Sequence, residues 1–214
     1  VTDFTNVASY VKICGVTSVE DAQVVIEAGA DALGLIFAES TRQLSPRDGR
    51  RIAEATRGAI IRVGVFRHDS DQFVLESVDE SGVDVAQLHG PLSEGLLDGL
   101  RRRGVGIIKA FSVQSDDFQR FDEVLVDAVL VDGPTPGSGR EHSWPDFKVR
   151  DFQRPLIIAG GLQPENVAAL ARGTAAWGVD VSTGVETAPG MKDAARVRDF
   201  VVNARAALAT RGTT

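Results

Sequence analysis

The sequence predicts a single-domain (β/α)8 barrel, and three observations carry the prediction. Eight short apolar runs recur along 214 residues, and the segments between them carry helix signals. Strand–helix alternation of this kind implies a parallel sheet with right-handed crossovers. Eight units in about 200 residues sit at the lean end of the closed-barrel range. The rival is an open doubly wound sheet, which usually places a Gly-rich fingerprint after its first strand. Cys14-Gly15-Val16-Thr17 is not such a fingerprint.

The predicted strands are residues 10–14, 32–37, 60–66, 83–89, 106–111, 128–132, 155–159 and 178–182. Each is rich in Val, Ile and Leu on both parities, as parallel strands covered on one face and filled on the other require. Thr17-Ser18-Val19-Glu20 has capping-box spacing, and Val19, Ala22, Val25 and Ile26 continue it as an apolar stripe. Ser45-Pro46 offers an N-cap with Pro at the first helical position, leading into residues 47–56. Pro164 opens residues 165–171 in the same way, and a last helix over about 192–208 repeats apolar residues at Val197, Phe200, Val201, Ala204 and Leu208. Two weaker helical patterns lie near 116–123 and 145–149. Residues 1–9 read as a leader with no function assigned, and residues 10–214 as the barrel.

Composition narrows the partners. Net charge is −7, which argues against a nucleic-acid partner, whose phosphates would need a basic face. One cysteine excludes an intramolecular disulfide and a cysteine-based zinc cluster, which points to the cytoplasm. No apolar run approaches the ~20 residues of a membrane span. An anionic ligand would therefore depend on helix N-termini and a few placed cations.

Cys14 is the chemical question. A lone thiol ending the first strand is either an inert core residue or a reactive group at the strand's C-terminal rim, where barrels build their sites. If Cys14 points inward, so does Lys12, while Val11 and Ile13 face the helices. The same alternation predicts a polar inward set of Gln87, His89, Lys109, Asp132, Asp180 and Ser182. Branched aliphatics fill an ordinary barrel, so this polarity reads as a site. The competing account makes Lys12, Lys109 and Asp180 a buried ion-pair network, since buried charges need partners in either case. Glycine-rich turns follow three consecutive strands: Gly137-Ser138-Gly139-Arg140, Ala159-Gly160-Gly161 and Val181-Ser182-Thr183-Gly184. One such turn is conformational punctuation, whereas three on one rim suit a phosphate.

Taken together, Lys12-Ile13-Cys14-Gly15, Gly29-Ala30-Asp31-Ala32-Leu33-Gly34, Ser40-Thr41-Arg42-Gln43-Leu44-Ser45-Pro46 and Val63-Gly64-Val65-Phe66 resemble the phosphoribosylanthranilate isomerases of the ribulose-phosphate-binding barrels. The resemblance continues through Gln87-Leu88-His89-Gly90, Ile108-Lys109-Ala110, Ala159-Gly160-Gly161-Leu162, Pro164-Glu165-Asn166-Val167 and Val179-Asp180-Val181-Ser182-Thr183-Gly184-Val185-Glu186, in order, from about Val11 to Lys192.

The resemblance implies an Amadori rearrangement in tryptophan biosynthesis, with no redox step, no metal and no cofactor. It implies Cys14 as the base and Asp132 as the acid. Arg42 would hold the anthranilate carboxylate and Asp180 would lie near the substrate hydroxyls. Gly139, Gly160, Gly161, Ser182, Thr183 and Gly184 would cradle the phosphate of a small phosphosugar. The chemistry would require Cys14 to ionise with help from nearby positive charge, and Asp132 to be held protonated by burial. His89 reads as a rim or structural residue rather than the base. The chain departs from the family at Arg67, where a small apolar residue is common, and at His142 and Ser143, which replace an aromatic and an acid. Two other readings are a histidine-pathway aminoaldose isomerase, which usually relies on two aspartates, and a non-catalytic phosphate-binding barrel. A stand-alone monomer is expected, with a homodimer as the alternative.

Overall fold

The structure, a computed structural model, describes residues 4–113, 125–133, 154–174 and 176–209. Eight parallel strands close in chain order: β1 (Tyr10–Cys14), β2 (Ala32–Ile36), β3 (Ile61–Arg67), β4 (Val85–His89), β5 (Gly106–Ser112), β6 (Ala128–Asp132), β7 (Leu156–Ala159) and β8 (Gly178–Val181). The last strand pairs back onto the first, with Lys12 opposite Asp180. This is the expected (β/α)8 barrel in a single domain. Among the described residues, no helix is long and apolar enough to cross a membrane.

The helices are α1 (Val19–Glu27), α2 (Pro46–Ala55), α3 (Asp71–Ser81), α4 (Glu94–Arg102), α5 (Val167–Gly173) and α6 (Ala194–Ala209). The segments expected as helices near 116–123 and 145–149 lie outside the described residues. A serine starts each of α1 to α4. Ser18, Ser45, Ser70 and Ser93 accept the N–H of Asp21, Asp48, Phe73 and Leu96, which satisfies a donor that the first turn leaves orphaned. The first cap is thus one residue later than the capping-box spacing suggested, because the Thr17 hydroxyl donates to Gly190 O at 2.7 Å instead. The start of α5 also moves, from 165 to Val167. Asn166 Oδ1 accepts the Gln163 N–H at 2.8 Å and closes residues 163–166 as a turn first. Similarly, Asp193 Oδ1 takes the N–H groups of Ala195 and Arg196, so α6 begins after Lys192. Lys192 instead lies on β10 (Met191–Lys192), which pairs with β9 (Glu186–Ala188) just beyond β8.

Two apolar layers result. Val11, Ile13, Leu33, Leu35, Phe66, Leu88, Ile107, Val129, Val131, Ile158 and Val179 face outward beneath the helices. Tyr10, Ala32, Val63, Val85, Ile108, Ala110, Leu130 and Ile157 fill the barrel. This alternation places Cys14, Lys12, Gln87, His89, Asp132, Asp180 and Ser182 on the inward parity. It corrects the expectation for Lys109. Ile108 and Ala110 occupy the inward slots of β5, so Lys109 shares the outward parity of Ile107 and Phe111. Its ammonium donates to Gly90 O at 2.6 Å and sits 4.6 Å from the Phe111 ring centroid.

The N-terminal end of the barrel is held by a repeated device. Asp31, Asp84 and Asp127 each precede an even-numbered strand, and their carboxylates accept the N–H of Val11, Arg62 and Ile107 on the strand before. Charge-assisted bonds to backbone N–H are among the stronger hydrogen bonds. They peg β1 to β2, β3 to β4 and β5 to β6. Phe4 enters the same end, 3% exposed within the interior cluster and 6.0 Å from the Tyr10 ring. Trp177 stacks on Tyr10 and donates its indole N–H to Val7 O at 2.9 Å.

Candidate active site

At the C-terminal end the strands open into a cavity of about 300 Å3. Cys14, Arg42, Asp132, Gly160, Gly161, Asp180, Ser182, Thr183 and Gly184 all line it, so all but one of the expected site residues converge on one place. The remaining one, Gly139, lies outside the described residues, as does the rest of its loop. Four buried polar atoms on residues that line it have no hydrogen-bond partner among the described residues: Gln87 Oε1, Asp132 Oδ1, Asp180 Oδ1 and Ser182 Oγ. Unsatisfied buried polar atoms are costly and uncommon. Four around one cavity mark a place built for a polar ligand.

Glycines make the site possible at two positions. A Cβ on Gly160, which has φ +89°, would stand 2.5 Å from Asp132 Oδ1. A Cβ on Gly34 would stand 2.7 Å from Cys14 Sγ. The carboxyl and the thiol therefore each occupy space left by a neighbouring strand's missing side chain. Gly34 was not singled out from the sequence, because its role depends on the β1–β2 register that sets it opposite Cys14.

The two titratable groups differ in their environments. Burial, reinforced by the nearby Asp180 charge, pushes the Asp132 carboxyl up to about 7, against the pull of Arg67, Lys12 and the Gly133 N–H. Burial also pushes the Cys14 thiol up. Lys12 and Lys192 oppose that shift and Asp180 adds to it. The positive charge expected beside Cys14 is present, but desolvation outweighs it, so the resting group is a thiol. Beneath it, Lys12 is fully buried and bonds Asp180 Oδ2 at 2.9 Å. Burial pulls the Lys12 ammonium down, but Asp180 and Cys14 more than offset this and hold it charged.

His89 is held neutral and only weakly basic. Burial, then the Arg67 and Lys109 charges, drive its imidazole down to about 3. Neutral, it lies with Nε2 3.2 Å from Gln87 Nε2, where the amide donates and the ring nitrogen accepts. Arg67 is an inward, exposed residue on the cavity wall between β2 and β4.

Arg42 is held more tightly than its loop position suggests. Its Nε and Nη2 donate to Glu186 Oε1 and Oε2 at 2.8 and 2.6 Å, and Nη2 also reaches Thr183 Oγ1 at 3.2 Å. Lys192 Nζ bonds the same Glu186 carboxylate at 2.7 Å and Cys14 O at 2.6 Å. Sequence reasoning missed Lys192, and it read Glu186 only as the end of a motif. Both come from the β9–β10 excursion, which the strand-parity argument does not reach.

A raised carboxyl and a buried thiol, set at the ends of β6 and β1 around one cavity, define a site of the acid–base enzyme class. Comparison with known proteins narrows the class. The model of the N-(5′-phosphoribosyl)anthranilate isomerase family matches residues 11–203. An N-(5′-phosphoribosyl)anthranilate isomerase from Geotalea uraniireducens is 41% identical over 201 residues, covering 91% of this chain and 98% of its own length. The crystal structure of phosphoribosyl anthranilate isomerase from Thermotoga maritima superposes with a TM-score of 0.82 at 36% identity, covering 92% of this chain and 99% of that one. Another phosphoribosyl anthranilate isomerase structure, with a TM-score of 0.79, 34% identity and the same coverages, is a complex with reduced 1-(o-carboxyphenylamino)-1-deoxyribulose 5-phosphate. The chain belongs to the N-(5′-phosphoribosyl)anthranilate isomerase family.

Proposed function

We infer that this chain converts the aminoaldose N-(5′-phosphoribosyl)anthranilate into 1-(2-carboxyphenylamino)-1-deoxyribulose 5-phosphate, a step of tryptophan biosynthesis, with Asp132 as acid and Cys14 as base. The observation that carries this reading is the pair itself: a carboxyl raised to about 7 and a thiol in the walls of one cavity. Asp132 gives its proton to the furanose ring oxygen, the C1′–O bond breaks, and the sugar opens to a protonated Schiff base. The Cys14 thiolate then removes the C2′ proton, and the resulting enolamine tautomerises to the ketone. Both transfers need groups whose protonation states interconvert near operating pH. Asp132 meets that condition directly, while Cys14 must give up a proton that burial favours keeping.

The polar walls supply the rest. The outer edge of Arg42, with its inner edge fixed by Glu186, receives the anthranilate carboxylate. Asp180 Oδ1 and Ser182 Oγ face the ribose and phosphate end, where the turns at Gly160-Gly161 and Ser182-Thr183-Gly184 let oxygens approach the backbone. The complex of a relative with a reduced aminoketose phosphate supports this choice of ligand. We take residues 1–9 to play no part in the chemistry, and we take the chain to act as a cytoplasmic monomer. A sedimentation experiment separates monomer from homodimer.

The test is conversion of N-(5′-phosphoribosyl)anthranilate by the wild-type chain and by Cys14→Ala. Turnover by the wild type and a loss of about 10²–10⁴-fold in the variant are expected for a general base. Tight binding of a phosphosugar without any turnover would favour a non-catalytic binding barrel.

A further inference from the structure

Arg42, Glu186 and Lys192 form a buried charge cluster beside Cys14 that the acid–base steps do not use. The side chains of Glu186 and Lys192 are 3% and 0% exposed, and that of Arg42 is 11% exposed. Glu186 is the common member: one carboxylate takes the guanidinium fork, the ammonium and the Gly190 N–H at 3.3 Å. Burying three charges is expensive unless their geometry is good. Well-packed apolar residues would serve the fold as cheaply, so a role in function is the natural reason for keeping them. The contacts also link three parts of the site. Arg42 belongs to the loop after β2 and Glu186 to β9, while Lys192 holds the carbonyl of Cys14 itself.

We propose that Glu186 is a positioning residue: by bridging Arg42 and Lys192 it aims Arg42 at the substrate's carboxylate and sets the net charge that Cys14 faces. This rests on the reading of Cys14 as the base and Arg42 as the carboxylate site. Two cations against one anion leave the cluster with a single positive charge, which offsets part of the burial that holds Cys14 as a thiol without leaving two unpaired cations in the wall. The other groups facing Cys14 balance among themselves. Lys12 on β1 and Asp180 on β8 are paired, and Tyr10 lies deeper in the barrel, its phenol held neutral by burial. Asp132 on β6 carries its own proton until about pH 7. Glu39 and Arg67 also line the cavity but are exposed to solvent, which screens them, so the cluster is the buried net charge beside Cys14, and Lys192 and Arg42 both act on the thiol.

The experiment measures alkylation of Cys14 by iodoacetamide against pH, together with kcat and KM, in wild type, Glu186→Gln, Lys192→Gln, Lys192→Arg and Arg42→Gln. The single cysteine makes the label unambiguous. Glu186→Gln removes the anion, so the alkylation midpoint moves down by about one pH unit. In the same variant Arg42 loses its anchor and KM rises several-fold. Lys192→Gln moves the midpoint up by about as much with a smaller change in KM, and Lys192→Arg restores it. Midpoints that move in opposite directions for the anion and the cation cannot come from loosened packing. Unchanged midpoints in the folded variants would overturn the charge claim, and an unchanged KM in Glu186→Gln would overturn the anchoring claim. Should Glu186→Gln not fold, the less buried Arg42→Gln decides the charge claim through the same upward shift as Lys192→Gln. Normal turnover by Cys14→Ala would count against the base assignment alone, because the midpoints report charge at the thiol whatever the thiol does.

Discussion

Asp132 sets stability and chemistry against each other. Its carboxyl is raised in the folded chain to about 7, whereas in the unfolded chain it titrates near 3.8. The folded state therefore binds more protons between those values, and stability falls as pH rises through that window. The full shift converts to about 4 kcal/mol at pH 8. Asp132→Asn removes the ionisation, so the variant should melt at a higher temperature than wild type at pH 8 and at nearly the same temperature at pH 4. Thermal unfolding followed by circular dichroism at the two pH values reads the difference. Equal melting temperatures at pH 8 would mean that the carboxylate is not strained there. Once Cys14 is taken to point inward, alternation puts Asp132, Asp180 and Ser182 on the rim side of their strands, and those positions were legible in the sequence. Lys109 was not, because alternation fixes two faces without saying which is inside. Only the small and branched side chains of Ile108 and Ala110, packed within the barrel, decide that.

Individual elements show where local rules hold and where tertiary contacts override them. Ser45-Pro46 starts α2 where its chemistry says, whereas α1 and α5 start one and two residues later than their signals, since Thr17 and Asn166 have better partners elsewhere. Replacing the α3 cap, Ser70→Ala, should cost about 1 kcal/mol. Phe4 matters more. It plugs the barrel bottom opposite the cavity, and a Cβ on Gly106 would meet its ring at 2.9 Å, so the space around it is full. Phe4→Ala should cost about 3–5 kcal/mol in urea unfolding while kcat stays unchanged. A drop in kcat without a loss of stability would show that the bottom layer governs the site. Residues 1–9 had no role assigned from the sequence because one aromatic residue carries no periodic signal. Likewise, β9 and β10 are too short to show one, and so Glu186 and Lys192 escaped notice as partners of Arg42.

Across the whole molecule, labour is divided between the two ends of the barrel. The aspartate pegs and aromatic residues hold the N-terminal end, which has every reason to be rigid and apolar. The C-terminal end keeps four buried polar atoms without partners among the described residues, an arrangement that costs stability and suits a polar ligand in the cavity they surround. The closed fold was legible because eight apolar runs leave few other solutions. The electrostatic balance was not, since it depends on how far burial outweighs nearby charge. That balance has a kinetic consequence. The active form pairs a protonated Asp132 with an ionised Cys14, yet the carboxyl titrates below the thiol, so this form is a minority of the singly deprotonated enzyme. Its population rises as the pair loses its first proton and falls as it loses the second.

The most direct measurement is therefore kcat/KM against pH for wild type and Asp132→Asn. Wild type should give a bell whose acidic limb lies near pH 7 and whose basic limb follows the raised thiol. In Asp132→Asn the limb near 7 should vanish, leaving a residual rate about 10²–10⁴-fold lower that climbs with thiol ionisation. A variant that keeps the limb near 7 and its full rate would contradict the assignment of Asp132 as the acid and, with it, the pairing of carboxyl and thiol on which the account rests.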